Sequence, residues 1–336
     1  VLLSATSPGG ASLSTDDQYL SAQFSTGIVG SSGVGEFNAI ELSKKLTGKI
    51  ARLRPFVGNF DEGFSGSASP QDLETLFQLT YLYATAPRAD SSVFASFIGR
   101  INSMLTAMQA SPQSAFGDTL NVTLNQYHHR TRPFSQEILA EVKLDEGFEF
   151  FKDRFADFSD FTFYLVGAFD LEGIQPLVET YLATLPSTGR VETFRDVGIR
   201  TPPGVIEKSV FKGVEPQSRV QIVFSGETEW SMEERRRMRM LQRVLDTRLR
   251  EILREDMGGT YGVSVRGSLR EDPYENFQFT ISFGCAPDRV DELVASVWAD
   301  IELLQNLSYA IDRAFHSDKS EIKAARTISD SIRAIA

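Results

Sequence analysis

Histidine and cysteine, the side chains that most readily hold a metal or act as nucleophiles, are scarce here: 336 residues carry three histidines and one cysteine. The histidines are His128, His129 and His316. A zinc peptidase needs two imidazoles one helical turn apart and a carboxylate to activate water. His128 and His129 are neighbours, so their rings point to different faces of a helix or a strand. Neither His-x-x-Glu-His nor His-Glu-x-x-His occurs in the sequence, which predicts a chain with no metal site of its own. No Gly-x-Ser-x-Gly elbow is present either, and Gly63-Phe64-Ser65-Gly66 reads as a small-residue strand end. Cys285 has no histidine near it and reads as a small buried hydrophobe. Asp157 and Asp160 read as surface acids, and Glu233 to Arg237 as a solvated charge run on the first turns of a helix.

One constellation stands apart: Leu253-Arg254-Glu255-Asp256-Met257-Gly258-Gly259-Thr260-Tyr261-Gly262. A helix is expected to end at the double glycine and a strand to begin straight after it. Arg254 then sits on the last helical turn and Tyr261 on the first strand residues. Gly258 and Gly259 form the supporting turn, since glycine permits the tight reversal that directs both polar tips to one side. A guanidinium and a phenol so placed are donors suited to a peptide carbonyl or a developing oxyanion. A plainer role is open as well: an arginine answering the helix dipole and a tyrosine packed at a strand edge.

The elements that must position these residues follow from periodicity. Helices are expected over 16–24, over 36–46 up to Gly48, and from Ser69-Pro70-Gln71-Asp72 to Pro87, with Leu73, Leu76, Phe77, Leu79 and Thr80 on one face. Strands are expected over 51–57, 62–66 and 161–166, and Asp170 can cap a helix reaching Leu185. The turn-rich stretch around 189–204 lacks periodicity and reads as a linker between a first domain, 1–188, and a second, 205–336. In the second, a strand over 219–224 precedes Ser231-Met232-Glu233-Glu234, a capping box. Met238, Leu241, Leu245, Leu249 and Ile252 then give a long amphipathic helix. Strands over 260–265 and 277–283 and a helix after Ala286-Pro287-Asp288 complete the pattern. The passage from Phe64 to Leu76 and that from Phe283 to Leu293 both read strand, proline, helix, which suggests a duplicated α+β unit.

Composition sets the outer bounds. Hydrophobic residues make up 41% and charged residues 24%, as in a globular protein with a real core. No apolar run reaches the roughly 18–20 residues of a membrane helix. The formal charge of −11 repels a phosphate backbone, so no nucleic-acid partner is expected. A lone cysteine excludes an internal disulfide framework. Val1-Leu2-Leu3-Ser4 reads as the middle of a strand and the last residues as an uncapped helix, so both ends read as cut from something longer.

The segment Leu253 to Val263 resembles the Arg–Tyr segment in the non-catalytic half of the pitrilysin/insulinase family of zinc peptidases, especially its long bacterial members. Ser7-Pro8-Gly9-Gly10, Gly63 to Ser67, Tyr83 to Arg88, Phe151 to Asp157 and, most clearly, Phe161 to Asp170 agree with it. The resemblance runs from near residue 3 to about residue 305. It implies an α+β fold of two homologous αβ domains, each an antiparallel-rich sheet covered by helices. It further implies two halves closing around a peptide chamber, with zinc held by an N-terminal catalytic half in the same polypeptide or a partner chain. In that frame Arg254 and Tyr261 match the pair that reaches the peptide substrate, and periplasm or cell envelope is the implied compartment. The competing possibility is a catalytically inactive relative acting as a scaffold or partner subunit.

Overall fold

The computed structural model describes residues 1–260 and 262–314, with side chains to residue 306. The chain divides into two compact units, 1–202 with 206–212 and 203–205 with 213–336. In the first, the elements in chain order are β1 (Leu2–Pro8), α1 (Tyr19–Ser32), α2 (Ala39–Lys45), β2 (Ala51–Val57), β3 (Asp61–Ala68), α3 (Leu73–Thr85), α4 (Ser91–Gln109), α5 (Pro112–Leu124), α6 (Gln136–Leu139), α7 (Leu144–Arg154), β4 (Thr162–Val166) and α8 (Leu171–Leu177). The second contains β5 (Ser218–Glu227), α9 (Met232–Arg250), β6 (Val263–Arg270), β7 (Asn276–Cys285) and α10 (Val290–Ala314).

The first sheet has the order β2-β3-β1-β4 with every pair antiparallel. Alternation along β1 sends Leu3, Ala5 and Ser7 inward and leaves Leu2 and Ser4 exposed, as a half-buried strand requires. The core beneath is aromatic. Phe64 on β3 lies 4.8 Å from Phe155, which stacks on Phe151 of α7 at 4.5 Å, and all three rings are fully or almost fully buried. Gly63-Phe64-Ser65-Gly66, expected at a strand end, is mid-strand, with Phe64 as its buried anchor.

Two features of this unit differ from the periodicity reading. Helix α1 runs eight residues past the expected end, and α4, α5 and α7 fill a region in which no element was expected. Only Leu105 of α4 is fully buried, so its apolar stripe is too thin to read. Its cap is the clearer signal: the Asp90 carboxylate accepts from the amides of Ser92 at 2.9 Å and Val93 at 3.0 Å. Asp157 is the other surprise, because it is buried rather than a surface acid. Hydrogen bonds from Ser159 and Thr188 hold its carboxyl well below the usual range.

Asp157 belongs to a polar seam that fastens residues 186–201 to the first unit. Asp160 accepts from Ser7 Oγ at 2.9 Å and from the Glu192 amide at 2.9 Å. The Arg195 amide donates to Ser12 Oγ at 2.9 Å, His128 Nε2 meets the Val197 carbonyl at 3.1 Å, and Phe194 packs edge-on against Phe60. The stretch read as a linker is thus irregular, and up to residue 202 it clusters with the first unit.

Under this seam lies a buried acid. Glu62 is fully buried; its Oε2 accepts from the Gly10 amide, while its Oε1 has no hydrogen bond among the described residues and stands 3.7 Å from Arg154 Nη1. Burial is the largest influence and pushes its carboxyl up to about 7, against the opposing pull of the Gly10 amide and Arg154. The folded chain therefore keeps a proton on Glu62 that the unfolded chain releases near 4.5. That contribution to stability is complete below the unfolded value and is lost as pH rises through 7. We expect the difference in unfolding free energy between the wild type and Glu62→Gln to fall by on the order of 3 kcal/mol from pH 4.5 to 7. Urea titrations of both proteins across that range measure it, and a flat difference would contradict the assignment.

The second unit repeats the first in outline. Its sheet has the order β5-β7-β6, again antiparallel. With β5 set on β1, β6 on β2 and β7 on β3, strand order and chain order coincide, and α9 takes the place of α1. Both later junctions pass through a one-turn 3₁₀ segment opened by proline, Pro70–Asp72 and Pro287–Arg289, before a helix. The strand–proline–helix likeness in the sequence is therefore a real structural repeat. Leu241, Leu245, Leu249 and Leu253 pack with Val265, Phe279, Ile281, Leu293 and Val297 to form the second core.

Candidate functional site

Helix α9 begins at Ser231, whose Oγ accepts from the Glu234 amide at 3.1 Å. The expected capping box forms only by half, since the Glu234 carboxylate pairs instead with Arg237 at 2.6 Å. A salt bridge within one turn competes for the same oxygens. At its other end the helix widens into a π turn, Glu251–Asp256, which contains Arg254.

That turn is fixed from within. Leu253 is fully buried while its neighbour Arg254 is exposed. The Met257 amide donates to the Ile252 carbonyl at 3.0 Å, the Gly258 amide to Arg254 at 3.1 Å and the Gly259 amide to Leu253 at 2.9 Å. These bonds absorb carbonyls that a helix end otherwise leaves unpaired. Gly258 takes φ +57°, the left-handed conformation that closes such an end. Gly259 serves a different need: a methyl there would stand 2.6 Å from Leu293 Cδ2, so the chain passes too close to α10 for a side chain. From α10 and the turn before it, Arg289 Nη1 reaches the Met257 carbonyl at 3.1 Å and Ser296 Oγ reaches Met257 Sδ at 3.3 Å. Thr260 is buried and its Oγ1 bonds both the amide and the carbonyl of Gly262.

The structure thus bears on Arg254 and the two glycines, while Tyr261 lies outside the described residues. The strand expected from Thr260 starts at Val263 instead. Among the described residues Arg254 has no ion pair or side-chain hydrogen bond. Two contacts missed by sequence reasoning brace the start of β6. Asp246 Oδ1 accepts from the Val265 amide and Gln242 Oε1 from the Gly267 amide, each at 3.3 Å. Both acceptors lie on the polar flank of α9, and no local pattern marks them.

A zinc ion does not fit the donors on view. Among the described residues no three His, Cys, Asp or Glu side chains gather around one point. His128 accepts from the Arg130 amide at Nδ1, 3.2 Å, and spends Nε2 on Val197. His316 lies outside the described residues. Cys285 is half-buried against the second core, and burial pushes its thiol up, which makes it a poorer nucleophile.

Two αβ units of repeated topology, each an antiparallel sheet covered by helices, define a pitrilysin-like fold. The chain belongs to the family described as the peptidase M16 inactive domain, which matches residues 142–314. It is 24% identical over 298 residues to a probable zinc protease PqqL of Haemophilus influenzae and 24% identical over 314 residues to a PQQL-like zinc protease of Arabidopsis thaliana. Each alignment takes in 86% of this chain and 31% of the relative, so the chain spans about a third of the length of these proteins. The periplasmic protease PqqL of Escherichia coli has a similar fold, with TM-score 0.77, 19% identity, and coverage of all of this chain and 40% of that one. Pitrilysin is similar at TM-score 0.64 and 13% identity, over 99% of this chain and 38% of its own. Among the described residues no helix is long and apolar enough to cross a membrane.

The two glycines make separable demands. Gly258→Ala should cost about 1 kcal/mol through its positive φ, with Gly258→Asn costing less. Gly259→Ala should also lower the urea midpoint, because its methyl presses on buried Leu293. An unchanged midpoint for Gly259→Ala would mean that Leu293 yields freely and that the close approach does not set the turn.

Proposed function

We propose that this chain is the substrate-binding, metal-free half of a zinc-dependent endopeptidase that degrades peptides in a closed chamber. The zinc-bearing half precedes it in the same polypeptide or resides on a partner chain. Membership of the inactive-domain family supports the lack of metal chemistry here, and the names of the two relatives support zinc proteolysis in the whole protein. The description of the similar Escherichia coli protease as periplasmic supports a periplasmic location.

The observation that carries the reading is the state of Arg254. Its exposed guanidinium, without an ion pair or side-chain hydrogen bond among the described residues, sits on a turn pinned by buried Leu253 and the Gly258-Gly259 reversal. A donor held in place before its acceptor arrives costs little reorganisation when charge develops on a peptide carbonyl. Tyr261, seven residues on in the sequence, is the second donor of the pair.

Replacing one such donor typically lowers turnover by roughly 10²–10³. In the full-length enzyme, Arg254→Ala and Tyr261→Phe should each lower kcat/KM on peptide substrates toward that extent, with bound zinc unchanged. Metal analysis and steady-state kinetics on the same preparations measure both. Wild-type turnover in the two variants would remove Arg254 and Tyr261 from the site.

A further inference from the structure

Helix α9 carries a charge distribution unlike that of the chain as a whole. The protein has 34 basic and 45 acidic residues, yet this one helix holds seven arginines against three acids. At 100° per residue, Arg236, Arg239, Arg243 and Arg250 fall within about 60° of one another, roughly opposite the buried face of Leu241, Leu245 and Leu249. All four arginines are exposed.

Their partners separate them. Arg250 is paired with Asp246, one turn back. Among the described residues Arg236, Arg239 and Arg243 have no carboxylate partner, and the only bond in this group runs from Arg239 Nε to the Arg235 carbonyl at 3.4 Å. An exposed helix face in an acidic protein ordinarily mixes signs so that charges answer one another. Here three neighbouring guanidinium groups have no carboxylate partner among the described residues, in a line that leads toward the turn of Arg254.

We propose that this stripe is a docking surface for an acidic polypeptide segment. Arg236 and Arg243 are about 10 Å apart along the axis at ~1.5 Å per residue. An extended chain advances about 7 Å for every two residues, so carboxylates on alternate residues reach the stripe without distortion. Guanidinium is the group best matched to carboxylate, since its parallel N–H donors form two-point contacts. The short length of the stripe and the net charge of −11 around it act against a long polyphosphate, which needs many contacts at once. The inference stands apart from the peptidase reading, because it concerns binding alone.

The test uses the 336-residue chain and fluorescence anisotropy at low salt. The probes are a short labelled peptide alternating glutamate and serine, its glutamine counterpart, a single-stranded DNA of matched charge, and vesicles containing phosphatidylserine. The glutamate peptide should bind about tenfold more tightly than the glutamine peptide, and added salt should erase the difference. The combined substitution Arg236→Gln, Arg239→Gln and Arg243→Gln should abolish that preference with the melting curve unchanged. Neutralising exposed Arg52 and Arg54 of β2 should leave the preference intact, which separates the stripe from general charge. Equal binding of the two peptides overturns the proposal, as does a preference that survives the triple substitution. Tighter binding of the DNA or the vesicles through the same arginines would overturn the choice of an acidic polypeptide.

Discussion

The second unit depends on the burial of one leucine stripe. Leu241, Leu245, Leu249 and Leu253 recur every four residues and are all almost fully removed from water. Each contributes roughly 1.5–3 kcal/mol of hydrophobic stabilisation, so together they fix the rotation of α9 about its own axis. Once that rotation is set, the other positions have no freedom. Gln242 and Asp246 must flank β6 and meet its outward amides, Arg236, Arg239 and Arg243 must face solvent, and Arg254 must leave the surface beside buried Leu253. The π turn is part of the same constraint, because its wider spacing delivers Leu253 to the core while the backbone prepares to reverse at Gly258.

In the first unit the comparable constraint is polar. Arg154 lies at the end of α7, almost fully buried, and shares its guanidinium among Glu62, Asp153 and Glu192. A buried cation with several acceptors strongly disfavours any arrangement that would strand it, and so ties β3, α7 and the 186–201 segment into one structure. Glu62 absorbs the cost. It faces Arg154 at a distance too long for a hydrogen bond and, with its ionised form disfavoured by burial, keeps its proton up to about pH 7. The seam above it joins modest hydrogen bonds and one ring contact, most of them between residues far apart in the chain.

What could be read from the sequence follows from range. The corner at Gly258-Gly259 was legible because its parts are adjacent: the helix pattern, the two glycines and the arginine fall within a dozen residues. Strand β7 was legible from its alternation and β4 from its apolar run, and the duplication from the proline that opens the helix after β3 and after β7. The attachment of residues 186–201 was not, since Arg195 and its partner Ser12 are 183 positions apart and no periodicity records such a bond. Helices α4 and α5 escaped because only one of their residues is fully buried, and an amphipathic signal is only as strong as the face it buries. The role of Asp157 escaped for a related reason, because a carboxylate reads as a surface group until its donors, Ser159 and Thr188, are brought to it.

Net charge is the sequence quantity that the structure refines most. A total of −11 argues against affinity for extended polyanions, and it does so by a long-range argument that averages over the whole surface. Within about 10 Å, roughly the screening length at 0.1 M salt, the average has no authority and the nearest charges decide. Along α9 the nearest charges are arginines, because the carboxylates of the helix are already committed: Glu233 and Glu234 to Arg237, and Asp246 to Arg250 and the Val265 amide. The commitments that stabilise the ends of the helix thus leave its middle turns positive, and an acidic protein acquires a basic face without any change in its sum.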